Sequence, residues 1–247
     1  MPTPTRALIA FAMGGLMLAA HASAEEFTAG QRAEIVKIVR DALKQDSSIL
    51  RDAIAALQSD EGEREKTAAR ATLAAVKDTL VTANDPVAGN PRGSVTIVEF
   101  FDVRCPYCLK LEPEMAAFLA QDRDVRLVYK DLPILGAASV LASKALLAAR
   151  NQNAYEKLRD ALMARARDIS PPVIEAEAKR LGLDAARLVR DMEDKSIRDQ
   201  IDANLRLSHQ LGLQGTPALI IGDSVLPGAV DETELRRAVA EARAGKR

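Results

Sequence analysis

The stretch "SVTIVEFFDVRCPYCLKLEPEMAAFLAQ", residues 94–121, constrains the fold more than any other. Ser94–Phe101 is β-branched and aromatic with one charge, Glu99, and reads as a buried strand. Beyond it, Leu109, Leu111, Met115, Phe118 and Leu119 fall close to helical spacing. A strand therefore runs almost directly into a helix. The only two cysteines of the 247 residues, Cys105 and Cys108, sit at the turn between them. Pro106 fits the first helical turn, where its missing N–H costs nothing. Pro113 predicts a kink further along the helix.

That placement has a chemical consequence. The unpaired N–H groups and the positive dipole end of a helix N-terminus favour a thiolate, which makes Cys105 the attacking sulfur. Cys108, one turn inward, is the resolving thiol. A structural disulfide gains most by closing a long loop, and a bridge across two residues closes almost none. A closed zinc site needs four ligands, and the chain has no second cysteine pair and only His21 and His209. With C-x-x-C spacing, the pair reads as redox-active, without metal or cofactor.

The N-terminus sets the compartment. Arg6, an apolar run from Ala7 to Ala20 and the Ala22-Ser23-Ala24 site predict a signal peptide over residues 1–24, cleaved after Ala24. The run is shorter than the roughly 20 apolar residues of a spanning helix. Export to the periplasm follows, where thiols can be oxidised and kept so. Lys+Arg 34 against Asp+Glu 35 leaves a formal charge of -1, which argues against a nucleic-acid partner. Aromatics at 3% with no Trp argue against a stacking platform for bases.

Further along, "VRLVYK" (Val125–Lys130) reads as a second strand. Helical patterns follow over Gly136–Arg150 and Asn153–Ala166. Another helix starts at Ser170-Pro171-Pro172 with Ser170 as N-cap, and Asp184 caps a shorter one. A helix over Ser196–Gly212 ends on its glycine, with His209 as a surface or cap residue. Pro217–Ile221 and Ser224–Gly228 form a hairpin about Gly222-Asp223, and Asp231 opens a closing helix.

Strand, C-P-Y-C, helix and the distant "GLQGTPALIIGDSVLPG" resemble the thioredoxin fold, an α/β class. The resemblance is to the exported DsbA-like and DsbC/DsbG-like thiol–disulfide oxidoreductases, with a helical insertion at about 133–212. It implies that Pro217 is a cis-proline facing the cysteines and that the backbone of Thr216 pairs with substrate peptide. Pro106 and Tyr107 would join them on the substrate side. It also implies that Glu99 moves protons to and from Cys108; Lys130, which ends the apolar strand "VRLVYK", is the partner expected for it on a neighbouring strand. Read without the resemblance, both are long side chains that reach solvent from a strand end. C-P-Y-C with Thr before the proline looks more like the isomerase branch than the oxidase branch.

Residues 25–84 read as a helical arm ahead of the redox domain at 85–247. Thr28 and Gln31 match a capping box. Ile35, Ile38, Val39, Ala42 and Leu43 form one apolar stripe, and Ile49, Leu50, Ala53, Ile54 and Leu57 form another. Ala83–Gly93 looks like a linker. An arm of this size can hardly build its own core, so it is expected to join copies into a dimer or trimer. Similar arms hold chains together in exported isomerases and in suppressor-of-copper-sensitivity proteins. The expected function is a periplasmic disulfide isomerase or reductase acting on exported cysteine-containing clients, served by a membrane thiol-reducing or oxidising partner. The alternatives are a DsbA-like oxidase and a Cu(I)-binding copper-tolerance protein, since soft thiolates select that ion.

Overall fold

A computed structural model of the chain describes residues 27–245. The expected signal peptide and its cleavage after Ala24 lie outside the described residues. The chain divides into two compact units between Gln58 and Ser59. The first contains α1 (Ala29–Gln45) and the start of α2 (Ser47–Leu80). The Thr28–Gln31 capping box forms: the Gln31 N–H donates to Thr28 Oγ1 at 3.3 Å, and the Thr28 N–H donates to Gln31 Oε1 at 2.8 Å. No described residue of α1 is buried.

The division falls inside α2, earlier than the boundary expected at residue 84. Leu73 and Val76 are buried against Val98, Phe100 and Val128, so the last turns of α2 belong to the second unit's core. Burying such a side chain contributes roughly 1.5–3 kcal/mol, enough to fix those turns on the sheet. The segment read as a linker is also structured. It holds the short strand β1 (Val87–Gly89) and the buried Asp85.

The second unit carries a five-stranded sheet in the order β1-β3-β2-β4-β5. Its other strands are β2 (Val95–Phe101), β3 (Val125–Asp131), β4 (Ala218–Ile221) and β5 (Ser224–Pro227). The β2–β3 pair is parallel, joined by α3 (Pro106–Gln121), while β1, β4 and β5 pair antiparallel with their neighbours. Gly222, at φ +59, provides the tight turn between β4 and β5. Between β3 and β4 lies the helical insertion: α4 (Ala137–Ala149), α5 (Tyr155–Met163), α6 (Pro171–Arg180), α7 (Ala185–Asp191) and α8 (Lys195–Gln210). The chain closes with α9 (Glu232–Ala244).

Both faces of the central strands are covered, which explains why β2 lacks a polar-apolar alternation. Ile97, Phe101, Leu127, Tyr129, Leu219 and Ile221 belong to the main core. Their strand neighbours Val98, Phe100, Val128 and Ile220 belong to a second core with Leu73, Val76 and Leu207. Asp184 and Asp231 cap their helices by accepting from the Arg187 and Glu234 N–H groups. Ser170 occupies the N-cap position of α6 without a side-chain cap bond to any described residue, and Pro172 at the second helical position has no N–H to offer it. The α3 helix continues through Pro113.

Candidate active site around Cys105 and Cys108

Cys105 is the N-cap of α3, with extended backbone at φ -76 and ψ 120, and Pro106 opens the helix. The turn that carries it is fastened from below by Asp102. The Asp102 carbonyl accepts the Cys105 N–H at 2.9 Å. Its carboxylate accepts the Arg104 N–H at 2.8 Å through Oδ1 and the Leu135 N–H at 3.0 Å through Oδ2. Arg104 completes the clasp, donating to the Leu135 carbonyl at 2.9 Å and the Ala166 carbonyl at 3.2 Å. The loop after β3 is thus held beside the cysteines, with Ile134 and Leu135 exposed. Tyr107, between the two cysteines in sequence, stands open to solvent at 62% exposure.

Across the turn, the Thr216–Pro217 peptide is cis. The Cys105 thiol donates to the Thr216 carbonyl at 3.1 Å, bridging 111 residues of sequence. Thr216 and Pro217 therefore face the cysteines. Cys108 is fully buried one turn into α3, and both cysteines are free thiols. Burial pushes the Cys108 thiol well above its ordinary range, and the charges of Glu99 and Cys105 add to the shift. Hydrogen bonds from the Asp102 backbone and the Thr216 side chain oppose it.

Glu99 faces the same core as Phe101 and Tyr129, and it is 1% exposed. Neither of its carboxylate oxygens takes a hydrogen bond from any described residue. Desolvation pushes its carboxyl up to about 7, against the pull of Arg159 and with a further push from Glu112. The expected Glu99–Lys130 pairing does not form. In the parallel register Glu99 lies opposite Tyr129, and Lys130 lies opposite Phe100. The pleat turns Lys130 to the other face of the sheet, where its Nζ meets Asp85 Oδ2 at 2.7 Å in a buried ion pair. Among the described residues the cation paired with Glu99 is instead Arg159 of α5, with Nη2 3.9 Å from Glu99 Oε1.

Sequence reasoning missed Arg159 and Asp102. Nothing in the helical pattern separates Arg159 from the solvated arginines around it. Asp102 had a usable signal, an acidic residue two positions before Arg104 at the end of an apolar strand, which matches a side-chain-to-backbone turn. Among the described residues no cluster of His, Cys, Asp or Glu could hold a metal ion, and no helix is long and apolar enough to cross a membrane.

The model of the DSBA-like thioredoxin domain matches residues 96–240. A thioredoxin-like oxidoreductase from Silicibacter pomeroyi is 41% identical, with a TM-score of 0.64, over 66% of this chain and 94% of that one. Proteus mirabilis ScsC, in a transitional conformation, is 34% identical with a TM-score of 0.65, over 89% of this chain and all of that one (100%). Among curated proteins, the thiol:disulfide interchange protein DsbA of Bordetella parapertussis is 26% identical over 66% of this chain and 79% of its own length. The Na(+)/H(+) antiporter NhaA 1 of Salinispora arenicola is 29% identical over 165 residues, and there the chain spans only 25% of the relative's length. With its C-P-Y-C turn, its cis Thr216–Pro217 loop and its helical insertion, the chain belongs to the family of DSBA-like thioredoxin domains.

Proposed function

We propose that this protein is an exported thiol–disulfide oxidoreductase, acting as a disulfide isomerase or reductase on periplasmic cysteine-containing proteins. The observation that carries the reading is the Cys105–Thr216 contact. It sets a thiol at a helix N-terminus against the backbone of a loop that a client peptide can pair with. The Cys105 thiolate attacks a client disulfide; a Cys105–client bond forms, the client bond breaks, and one client sulfur leaves as a thiolate. In isomerisation that client thiolate attacks another client disulfide, and a client sulfur finally displaces Cys105. In reduction Cys108 loses its proton and attacks Cys105. The Cys105–Cys108 disulfide forms, and the client departs with both sulfurs reduced. Glu99 accepts the Cys108 proton: it is a buried carboxylate on the strand that feeds the cysteine turn, and both its oxygens are without a hydrogen-bond donor among the described residues. A membrane thiol-reducing partner then returns the pair to the reduced state. Thr216, Pro217, Pro106 and Tyr107 form the client-binding rim.

Isomerisation is favoured over oxidation by the arm. Ile35, Ile38, Val39, Leu43, Ile49, Leu50, Ile54 and Leu57 are all more than 40% exposed in the single chain. Such stripes are covered when copies of the chain associate into a dimer or trimer, which gathers several cysteine pairs around one client. Reactivation of a scrambled, fully oxidised multi-disulfide enzyme tests the reading. Cys105-dependent recovery supports it. Rapid oxidation of a reduced substrate without such recovery moves the protein to the oxidase class.

A further inference from the structure

The helical insertion places a buried cation beside Glu99. Arg159, on α5, is 1% exposed, and its guanidinium is enclosed on several sides. The ring of Tyr129 lies 4.4 Å from its carbon and that of Phe101 4.8 Å. Its Nη1 donates to Glu112 Oε2 at 2.8 Å, and its Nη2 pairs with Glu112 Oε1. Nη2 also stands 3.9 Å from Glu99 Oε1, the single cation paired with that carboxylate among the described residues. Glu112 lies on α3, one turn beyond Cys108, and is partly exposed. A cleft of about 370 Å³, lined by Glu112, Tyr129, Glu156, Arg159 and Asp160, opens beside the pair.

A buried arginine with three carboxylate neighbours costs desolvation, and a plain scaffold contact would do as well with an apolar side chain. Here the arrangement divides one positive charge between the buried Glu99 and the more exposed Glu112 and Asp160, the latter at 3.5 Å from Nη1. We propose that Arg159 is a positioning residue for disulfide exchange, holding the charge of Glu99 beside Cys108 while Glu112 sets how much of its own charge Glu99 feels. This rests on Glu99 accepting the Cys108 proton. The titratable groups whose charge acts on Glu99 or Arg159 are Cys108 and Glu112 of α3, Tyr129 and Asp131 of β3, and Tyr155, Glu156 and Asp160 of α5. The acids on α5 and Asp131 remain in every variant below, and because Arg159 acts on them as well, the Glu99→Gln background is what assigns a shift to Glu99.

The test follows the pH dependence of the Cys108 step, read as release of client from the Cys105 mixed disulfide in a single turnover. Removing Arg159 removes the charge that favours ionised Glu99, so Arg159→Met moves the midpoint up by about one pH unit. Glu112→Gln moves it down, because Arg159 then acts on Glu99 undivided. Opposite shifts from the two variants, both lost in a Glu99→Gln background, support the proposal. A midpoint that Glu99→Gln abolishes but Arg159→Met and Glu112→Gln leave in place overturns it and keeps the role of Glu99. A profile unchanged by Glu99→Gln overturns both. If Arg159→Met does not fold, Glu112→Gln decides alone: a downward shift supports the proposal and an unshifted midpoint overturns it.

Discussion

Arg159 Nη2 stands 3.9 Å from Glu99 Oε1, and both side chains are buried although 60 residues separate them in the chain. One belongs to the helical insertion and the other to the strand that feeds the cysteine turn. The insertion is therefore part of the electrostatics of the site.

Buried acids make stability depend on pH. Glu99 is raised from 4.5 to about 7 and Asp131 from 3.8 to about 7, both chiefly by desolvation. Between the unfolded and folded values the native state binds more protons than the unfolded state, so stability falls as pH rises through that window. The protein is expected to be more stable near pH 5 than at pH 8, each acid contributing on the order of 1–3 kcal/mol to the difference. Urea unfolding at the two pH values checks this, and Glu99→Gln should flatten its share of the slope.

The two thiols should differ in reactivity. Cys105 lies at the head of α3 beside exposed Tyr107, while Cys108 is sealed and its thiol is held protonated by burial. Alkylation at neutral pH should modify Cys105 at least about tenfold faster than Cys108. Peptide mapping after brief iodoacetamide treatment measures the ratio, and comparable labelling would count against Cys105 as the attacking sulfur.

Lys130 belongs to the scaffold rather than to the redox pair. Its buried partner is Asp85, on the face of the sheet away from Glu99. Lys130→Met leaves that carboxylate buried and unpaired, at a cost of about 3–5 kcal/mol. Thermal unfolding should show the loss, while exchange rates of the folded fraction stay unchanged.

These cases separate what was legible in the sequence from what was not. The strand, the C-P-Y-C turn, the α3 helix and the capping box at Thr28 are written in local patterns, the cis Thr216–Pro217 loop comes only from the family resemblance, and the structure has each of them. The strand β1 was hidden because Val87–Gly89 is three residues long and owes its conformation to pairing with β3. The end of the arm was hidden because Leu73 and Val76 continue a helical pattern and only their burial assigns them to the sheet. Arg159 was hidden because its charge is visible in sequence and its enclosure is not. Lys130 was misjudged although the twofold period of a strand already turned it away from Tyr129, the residue opposite Glu99.

The exposed stripes of α1 and the start of α2 make a prediction about assembly. Ile38→Asp together with Ile54→Asp puts charges into both apolar faces. Light scattering should show the full chain as an oligomer and this variant as a monomer. Isomerisation of a scrambled substrate should fall severalfold, with single-turnover exchange at Cys105 retained. A wild-type chain that is already monomeric would remove the arm from the account.

The most direct test asks which sulfur holds the client. Cys108→Ser leaves Cys105 against the Thr216 carbonyl and removes the thiol that releases the mixed disulfide in reduction, so that only a client sulfur can displace Cys105. Incubated with a scrambled multi-disulfide substrate, this variant should accumulate a covalent adduct. Intact-mass and peptide measurements should locate the bond at Cys105, and a reductant should cleave it. Absence of any adduct, with substrate disulfides exchanging as fast as with the unaltered protein, would contradict the account.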